Sequence, residues 1–108
     1  MSPEQIRGEA CDRRADIYSF GCMAYEILTG KVPYTAGSAD DLLVKHLKSA
    51  VPSVTALEPN VTKEFGDLIA QCMAKKAADR PESMKAFRDA MSSIRVFRKQ
   101  PQPPETGP

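Results

Sequence analysis

"DRRADIYSFGCMAYEILTGKVPY", Asp12 to Tyr34, decides how this 108-residue chain is read. Between Ile17 and Leu28 the apolar side chains do not form a single stripe. Ile17, Phe20, Ala24, Ile27 and Leu28 share one face at helical spacing. Tyr18, Cys22 and Tyr25 share another, with Met23 between them, and only Ser19 and Glu26 interrupt. A helix that is apolar all round belongs in a larger core or in a membrane. A membrane span needs about 20 mostly apolar residues. This run is shorter and carries Glu26, so the sequence predicts a buried core helix over residues 16–29. Gly30 stands where a left-handed residue closes a helix, and Pro33 prevents continuation. Asp16 has two readings. It caps its own helix, accepting from free N–H groups at the positive end of the dipole, or it is a buried acid that holds another loop in place.

Composition limits the rest. Fifteen basic and fourteen acidic residues leave a net charge of +1, and no basic stripe interleaved with aromatics appears, so nucleic-acid binding has no electrostatic support. Cys11, Cys22 and Cys72 are odd in number and widely spaced, with no C-x-x-C pair, which indicates neither a zinc site nor a disulfide scaffold. Cys22 and Cys72 fall on apolar helix faces as small hydrophobes. A reduced, cytoplasmic setting is expected. No signal peptide or membrane segment is visible.

Outward from the central run, residues 1–15 are polar and irregular, with Pro3 and Gly8 allowing only a short turn near Glu4. Ser38 or Asp40 caps an amphipathic helix ending near residue 48, with Leu42, Leu43, Leu47 and His46 on or beside its apolar face. Pro52, Pro59 and Asn60 mark a long connection. Thr62 caps a helix with Phe65, Leu68, Ile69, Cys72 and Met73 at i, i+3, i+4, i+7 and i+8. "KKAADRP" breaks that pattern. Ser83 then caps a last helix that turns Met84, Phe87, Met91 and Ile94 inward. Ser19 on the central helix is expected to bond to a carbonyl one turn back. No run alternates with period two, so no strand is expected. The expected fold is all-α: a central buried helix and three further helices over residues 1–97, followed by a Pro-rich, disordered tail or linker over residues 98–108.

Four stretches carry a resemblance: "MSPEQ" (Met1 to Gln5), "DIYSFG" (Asp16 to Gly21), "LTGKVPY" (Leu28 to Tyr34) and "DRP" (Asp79 to Pro81). In this order and spacing they resemble the second half of a eukaryotic-like protein kinase domain, of the bacterial serine/threonine kind, over residues 1–94. The resemblance implies a partial helical lobe of a larger α+β kinase fold. Phosphoryl transfer needs positioned phosphates, Mg²⁺ and an acid near the attacking hydroxyl. The chain contains no Gly-rich G-x-G-x-x-G, no V-A-I-K lysine, no H-R-D and no D-F-G. Catalytic, cofactor-binding and metal-binding residues are therefore expected to be none here. ATP and Mg would belong to the parent domain.

What the resemblance implies instead is structural support by Glu4, Asp16, Gly21 and Arg80. Glu4 stands at the acid of the A-P-E triplet, here S-P-E, and Arg80 at the arginine that pairs with it. Spacing alone leaves both as solvated surface charges. Asp16 stands at the acid that accepts backbone hydrogen bonds from the catalytic loop, and without that loop it should be exposed or satisfied by its own helix end. Pro33, Tyr34, Leu43 and Leu47 fall in a region that kinases use for docking, and an ordinary loop and helix is the competing reading. The expected partners are the remainder of the kinase domain and the protein substrate of the parent.

Met1 falls where the family often has methionine, so an internal start or a truncated record is the expectation, against a native short protein. Two functional readings stay open: a kinase fragment inactive alone, and a stand-alone helical interaction or scaffold module derived from a kinase. An unrelated bundle with chance motifs would leave Glu4 and Arg80 far apart.

Overall fold

Among the described residues, five of the six α-helices begin where a short polar side chain accepts from a free N–H group of the first turn. The computed structural model describes residues 2–99, and its elements are α1 (Pro3–Ile6), α2 (Arg13–Thr29), α3 (Ala39–Lys48), α4 (Val54–Leu57), α5 (Lys63–Cys72), a 3₁₀ turn (Ala77–Asp79) and α6 (Met84–Ser92). Ser38 Oγ accepts from Asp41 N at 3.2 Å, Thr62 Oγ1 from Phe65 N at 3.2 Å and Ser83 Oγ from Ala86 N at 3.0 Å. These are the capping residues the sequence indicates, with Ser38 rather than Asp40 heading α3. At α1 the capping is reciprocal. Gln5 N donates to Ser2 Oγ at 3.4 Å while Ser2 N donates to Gln5 Oε1 at 2.8 Å, and Pro3 takes the first helical position, where its missing N–H costs nothing.

The central helix starts earlier than the apolar run implies. Asp12, not Asp16, is the cap: its backbone is extended and its Oδ1 accepts from Arg14 N at 2.8 Å. Arg13, Arg14 and Ala15 are good helix formers and add almost a turn. Asp16 is left exposed in that first turn. Gly30 closes α2 in the left-handed region, φ 74°, with its N–H on Glu26 O at 2.8 Å. Thr29, not Ser19, bonds back one turn, through Oγ1 to Tyr25 O at 2.8 Å, and Ser19 is exposed.

The core forms where α2, α5 and α6 meet. Ile17, Tyr18 and Tyr25 of α2 pack with Phe65, Ile69 and Cys72 of α5, with Met73 just past its end, and with Phe87 of α6. Phe20 meets Phe87 edge to face at 5.1 Å. The stretch expected to be a plain connection contains α4, because Val54 reaches the core and is 2% exposed. An isolated antiparallel bridge joins Val61 to Phe97, and no strand occurs among the described residues. Arg98 N and Lys99 N, just past the expected boundary at 97, donate to Asn60 O and Asn60 Oδ1, at 2.7 and 2.9 Å. The rest of the expected tail, residues 100–108, lies outside the described residues.

The inward reading fails at three places. Met84 opens α6 at 42% exposed, ahead of the stripe formed by Phe87 and Met91. Cys22 is only half-buried, although Cys72 is buried. The apolar surround of α2 is covered on one side only, leaving Met23 52% and Ile27 74% exposed.

Gly21 sets how closely α2 and α5 approach. A Cβ at this position would lie 2.8 Å from Cys72 Cβ and 2.8 Å from Met73 Cγ. Overpacking of this kind costs about 1–3 kcal/mol, and the gain of alanine over glycine inside a helix is about 1 kcal/mol. Gly21→Ala is expected to lower the urea midpoint followed by circular dichroism. A midpoint equal to or above that of the unmodified chain would refute the close crossing.

Candidate functional site

Arg80 precedes Pro81, and a proline disfavours the helical region for the residue before it. Arg80 accordingly leaves the 3₁₀ turn in an extended conformation, φ −80° and ψ 163°. Its side chain is thereby sent back under the amino end of α2. There all five guanidinium N–H groups find acceptors. Nη1 donates to Glu4 Oε2 at 2.7 Å and to Arg14 O at 2.9 Å, Nη2 to Glu4 Oε1 at 2.8 Å and Lys75 O at 3.3 Å, and Nε to Ala74 O at 2.8 Å. The pair with Glu4 is bidentate, the geometry that suits a planar fork. Both residues are buried, Glu4 8% and Arg80 3% exposed. The Arg80 side chain holds the Glu4 carboxyl below its ordinary value of 4.5, against the opposing effect of burial.

The site connects α1, the start of α2 and the segment that follows α5. Arg13 adds a second tie, from Nε to Glu82 O at 2.7 Å. Arg80 also stacks its guanidinium 4.9 Å from the centre of the Tyr18 ring. Tyr18 Oη lies 2.7 Å from His46 Nδ1 on α3. Burial raises the Tyr18 hydroxyl far above its ordinary value and lowers the His46 imidazole below 6.5, so both are neutral near pH 7. The hydroxyl is then the donor and Nδ1 the acceptor, which leaves the His46 proton on Nε2.

Beyond His46 stands Tyr34, its ring 4.9 Å from the imidazole and edge to face. Lys75 Nζ donates to Tyr34 Oη at 2.9 Å and to the carbonyls of His46 and Lys45, at 2.8 and 3.3 Å. An ammonium on these carbonyls satisfies free acceptors at the negative end of α3. Burial pushes the Tyr34 hydroxyl up to about 12 and draws the Lys75 amine down.

The structure thus brings Glu4 and Arg80 together and puts Gly21 at the α2–α5 crossing. It leaves Asp16 exposed, apart from that pair. Of the docking candidates, Tyr34 is a core side chain at 8% exposed, because Lys75 and His46 draw its ring inward. Pro33, Leu43 and Leu47 are half-buried. Sequence reasoning missed Tyr18, His46 and Lys75 as one network. The available signal was a lysine directly after the apolar run of α5, in the stretch read only as a break.

An acid after a proline, gripped by an arginine before a proline at the foot of the central helix, defines a class: the helical half of a protein kinase domain. The family model "Protein kinase domain" matches residues 1–91, and the chain belongs to that family. It is 41% identical over 80 residues to the serine/threonine-protein kinase PknH of Mycobacterium tuberculosis, covering 74% of this chain and 13% of that protein. It is 35% identical over 96 residues to serine/threonine-protein kinase pkn3 of Myxococcus xanthus, covering 87% of this chain and 18% of that protein. The crystal structure of the M. tuberculosis PknI kinase domain superposes with a TM-score of 0.66 at 25% identity, covering 85% of this chain and 32% of that one. The chain therefore spans less than a fifth of these two curated relatives. It corresponds to part of a bacterial-type serine/threonine kinase domain.

Removing one partner of a buried ion pair costs about 3–5 kcal/mol, because a lone charge stays behind. Arg80→Ala and Glu4→Gln are each expected to destabilise by that order in urea titrations at pH 7. A loss below about 1 kcal/mol, the range of exposed pairs, would contradict the burial described. The pair also sets a pH dependence. The Glu4 value is lower in the folded chain, so its contribution is complete above the unfolded value near 4.5 and fades as pH falls through the folded value. Melting temperatures measured from pH 6 to pH 3 should fall less steeply for Glu4→Gln than for the unmodified chain. Equal slopes would remove Glu4 from the acid response.

Proposed function

We propose that this chain is the support of a serine/threonine protein kinase domain. It braces the substrate-facing segment around Ser2–Glu4 and carries no phosphoryl-transfer chemistry of its own. The buried Glu4–Arg80 pair supports this reading more than any other observation, since it ties a segment 76 residues away in sequence to the helical base. In the proposed parent domain, ATP and Mg are bound by the remainder of the domain, and a protein hydroxyl is the phosphate acceptor. This chain contributes none of the Gly-rich loop, strand lysine, catalytic-loop or metal-binding motifs that such transfer uses.

The uncovered side of α2 agrees with a partner of this kind. Phe20, Met23, Ala24, Ile27, Leu28 and Phe65 contribute to an apolar groove of about 250 Å³ that also reaches α6. Apolar surface gathered in one place marks an interaction site more often than free surface. The reading assigns that face to the remainder of the kinase domain, and assigns Pro33, Leu43 and Leu47 to the side where a protein substrate docks. Three unpaired thiols suit a cytoplasmic location. No helix among the described residues is long and apolar enough to cross a membrane.

A chimera tests the proposal. Residues 1–91 replace the matching segment of the M. tuberculosis PknH kinase domain, and transfer of phosphate from Mg-ATP to a protein substrate is measured. The chimera is expected to be active, Arg80→Ala within it to lose most of that activity, and the isolated chain to transfer none. Phosphate transfer by the isolated chain would overturn the proposal. A folded but inactive chimera, with the isolated chain monomeric and melting cooperatively, would favour the scaffold reading instead.

A further inference from the structure

We propose that protonation of His46 releases α3 from the rest of the fold, so that Tyr18, Tyr34 and Lys75 form a pH-operated latch. Helix α3 is lightly held. None of its ten residues is fully buried. Its apolar side chains Leu42, Leu43 and Leu47 are half-buried. Beside the packing of Leu42 against the core, two polar contacts hold it: the hydroxyl of Tyr18 on Nδ1 of His46, and the ammonium of Lys75 on the carbonyls of Lys45 and His46.

The first of these contacts works in one protonation state. A neutral imidazole accepts from the hydroxyl, whereas an imidazolium has only donors. The Tyr18 oxygen would then have to accept, and its own proton would need another acceptor in a site that is 0% exposed. The group facing it there is the Cys22 thiol, and sulfur is a weak acceptor.

The charges around the ring oppose protonation as well. Lys75, from the segment after α5, lies against the backbone of His46, and Arg80 sits over the far ring of Tyr18. Tyr34 from the preceding loop is neutral. The one charged group of α1 is Glu4, and its carboxylate is spent on Arg80. On α2, Glu26 is exposed at the rim of the cavity of about 380 Å³ that His46 lines. On α3 itself, Lys45 is turned to the carbonyl of Thr35. Among the described residues, a proton added to His46 therefore enters a site with Lys75 as a nearby cation and no buried free anion. Burial above all holds the imidazole below its ordinary 6.5, with Lys75 acting in the same direction.

The sign follows from linkage. A lowered value in the latched form means that the released form binds the proton more tightly. The latch is closed above pH 6.5 and loosens as pH falls through 6.5 toward the latched value. Between pH 7.5 and 5.5 the opening equilibrium can grow about tenfold, the limit for a released imidazole with an ordinary value near 6.5.

Hydrogen exchange on the full chain tests this, read by NMR as protection factors so that intrinsic exchange rates cancel. Amides of α3 are expected to lose protection, by up to about tenfold, between pH 7.5 and 5.5, while those of α5 hold. His46→Gln, which cannot take the proton, is expected to remove that pH dependence. The imidazole resonances of the unmodified chain supply a second measurement that needs no variant, and they are expected to titrate below 6.5. Titration at or above 6.5 would overturn the proposal. So would parallel loss of protection in α3 and α5, or a His46→Gln chain that keeps the pH dependence.

Discussion

One guanidinium determines how this chain is put together. Arg80 has five N–H groups and five acceptors: two oxygens of Glu4 and the carbonyls of Arg14, Ala74 and Lys75. Those acceptors come from three separate pieces of chain. Burying an arginine unpaired would cost several kcal/mol, and even a good buried pair repays little beyond its own desolvation. Its consequence is therefore geometric more than energetic. Only one arrangement of α1, α2 and the segment after α5 satisfies every donor. Lysine could not serve, because a point charge with three donors cannot grip a carboxylate in a fork and three carbonyls together.

Around that point the fold divides into two kinds of packing. Toward α5 and α6 the contacts are apolar and close, with Gly21 leaving no room for a side chain against Cys72. Toward α3 they are polar and aromatic, passing from Arg80 through Tyr18, His46 and Tyr34 to Lys75. An apolar interface holds at any ordinary pH. A chain of buried titratable groups holds only while each keeps the protonation state its partners require. In the proposed latch this difference makes α3 the part whose attachment responds to pH near 6.5, whereas the Glu4–Arg80 pair responds near 4.5 and below.

The open side of α2 belongs to the same logic. Met23 and Ile27 are exposed here beside a wholly apolar groove, while the solved kinase domain that superposes on this chain is about three times as much chain, since the match covers 32% of it. In the proposed role, that groove is where the rest of the domain packs. The carboxylate of Asp16, exposed one turn into α2, stands on the same helix.

Local chemistry was legible in the residues themselves. Ser38, Thr62 and Ser83 cap helices because a hydroxyl one residue before a helical run has free N–H groups within reach, and this needs no tertiary context. The stripes of α5 and the left-handed Gly30 were readable for the same reason. The kinase motifs made Glu4 and Arg80 candidates for one another, although 76 residues separate them. What the residues could not disclose is which faces stay wet. The run around α2 looks equally apolar on every side, and only packing decides that Ile17 and Tyr18 are covered while Ile27 is not. Nor does any spacing link Tyr18, His46 and Lys75. They meet because α2, α3 and the segment after α5 converge, and a hydrogen bond between residues 28 positions apart exists only after the backbone has brought both ends to the same place.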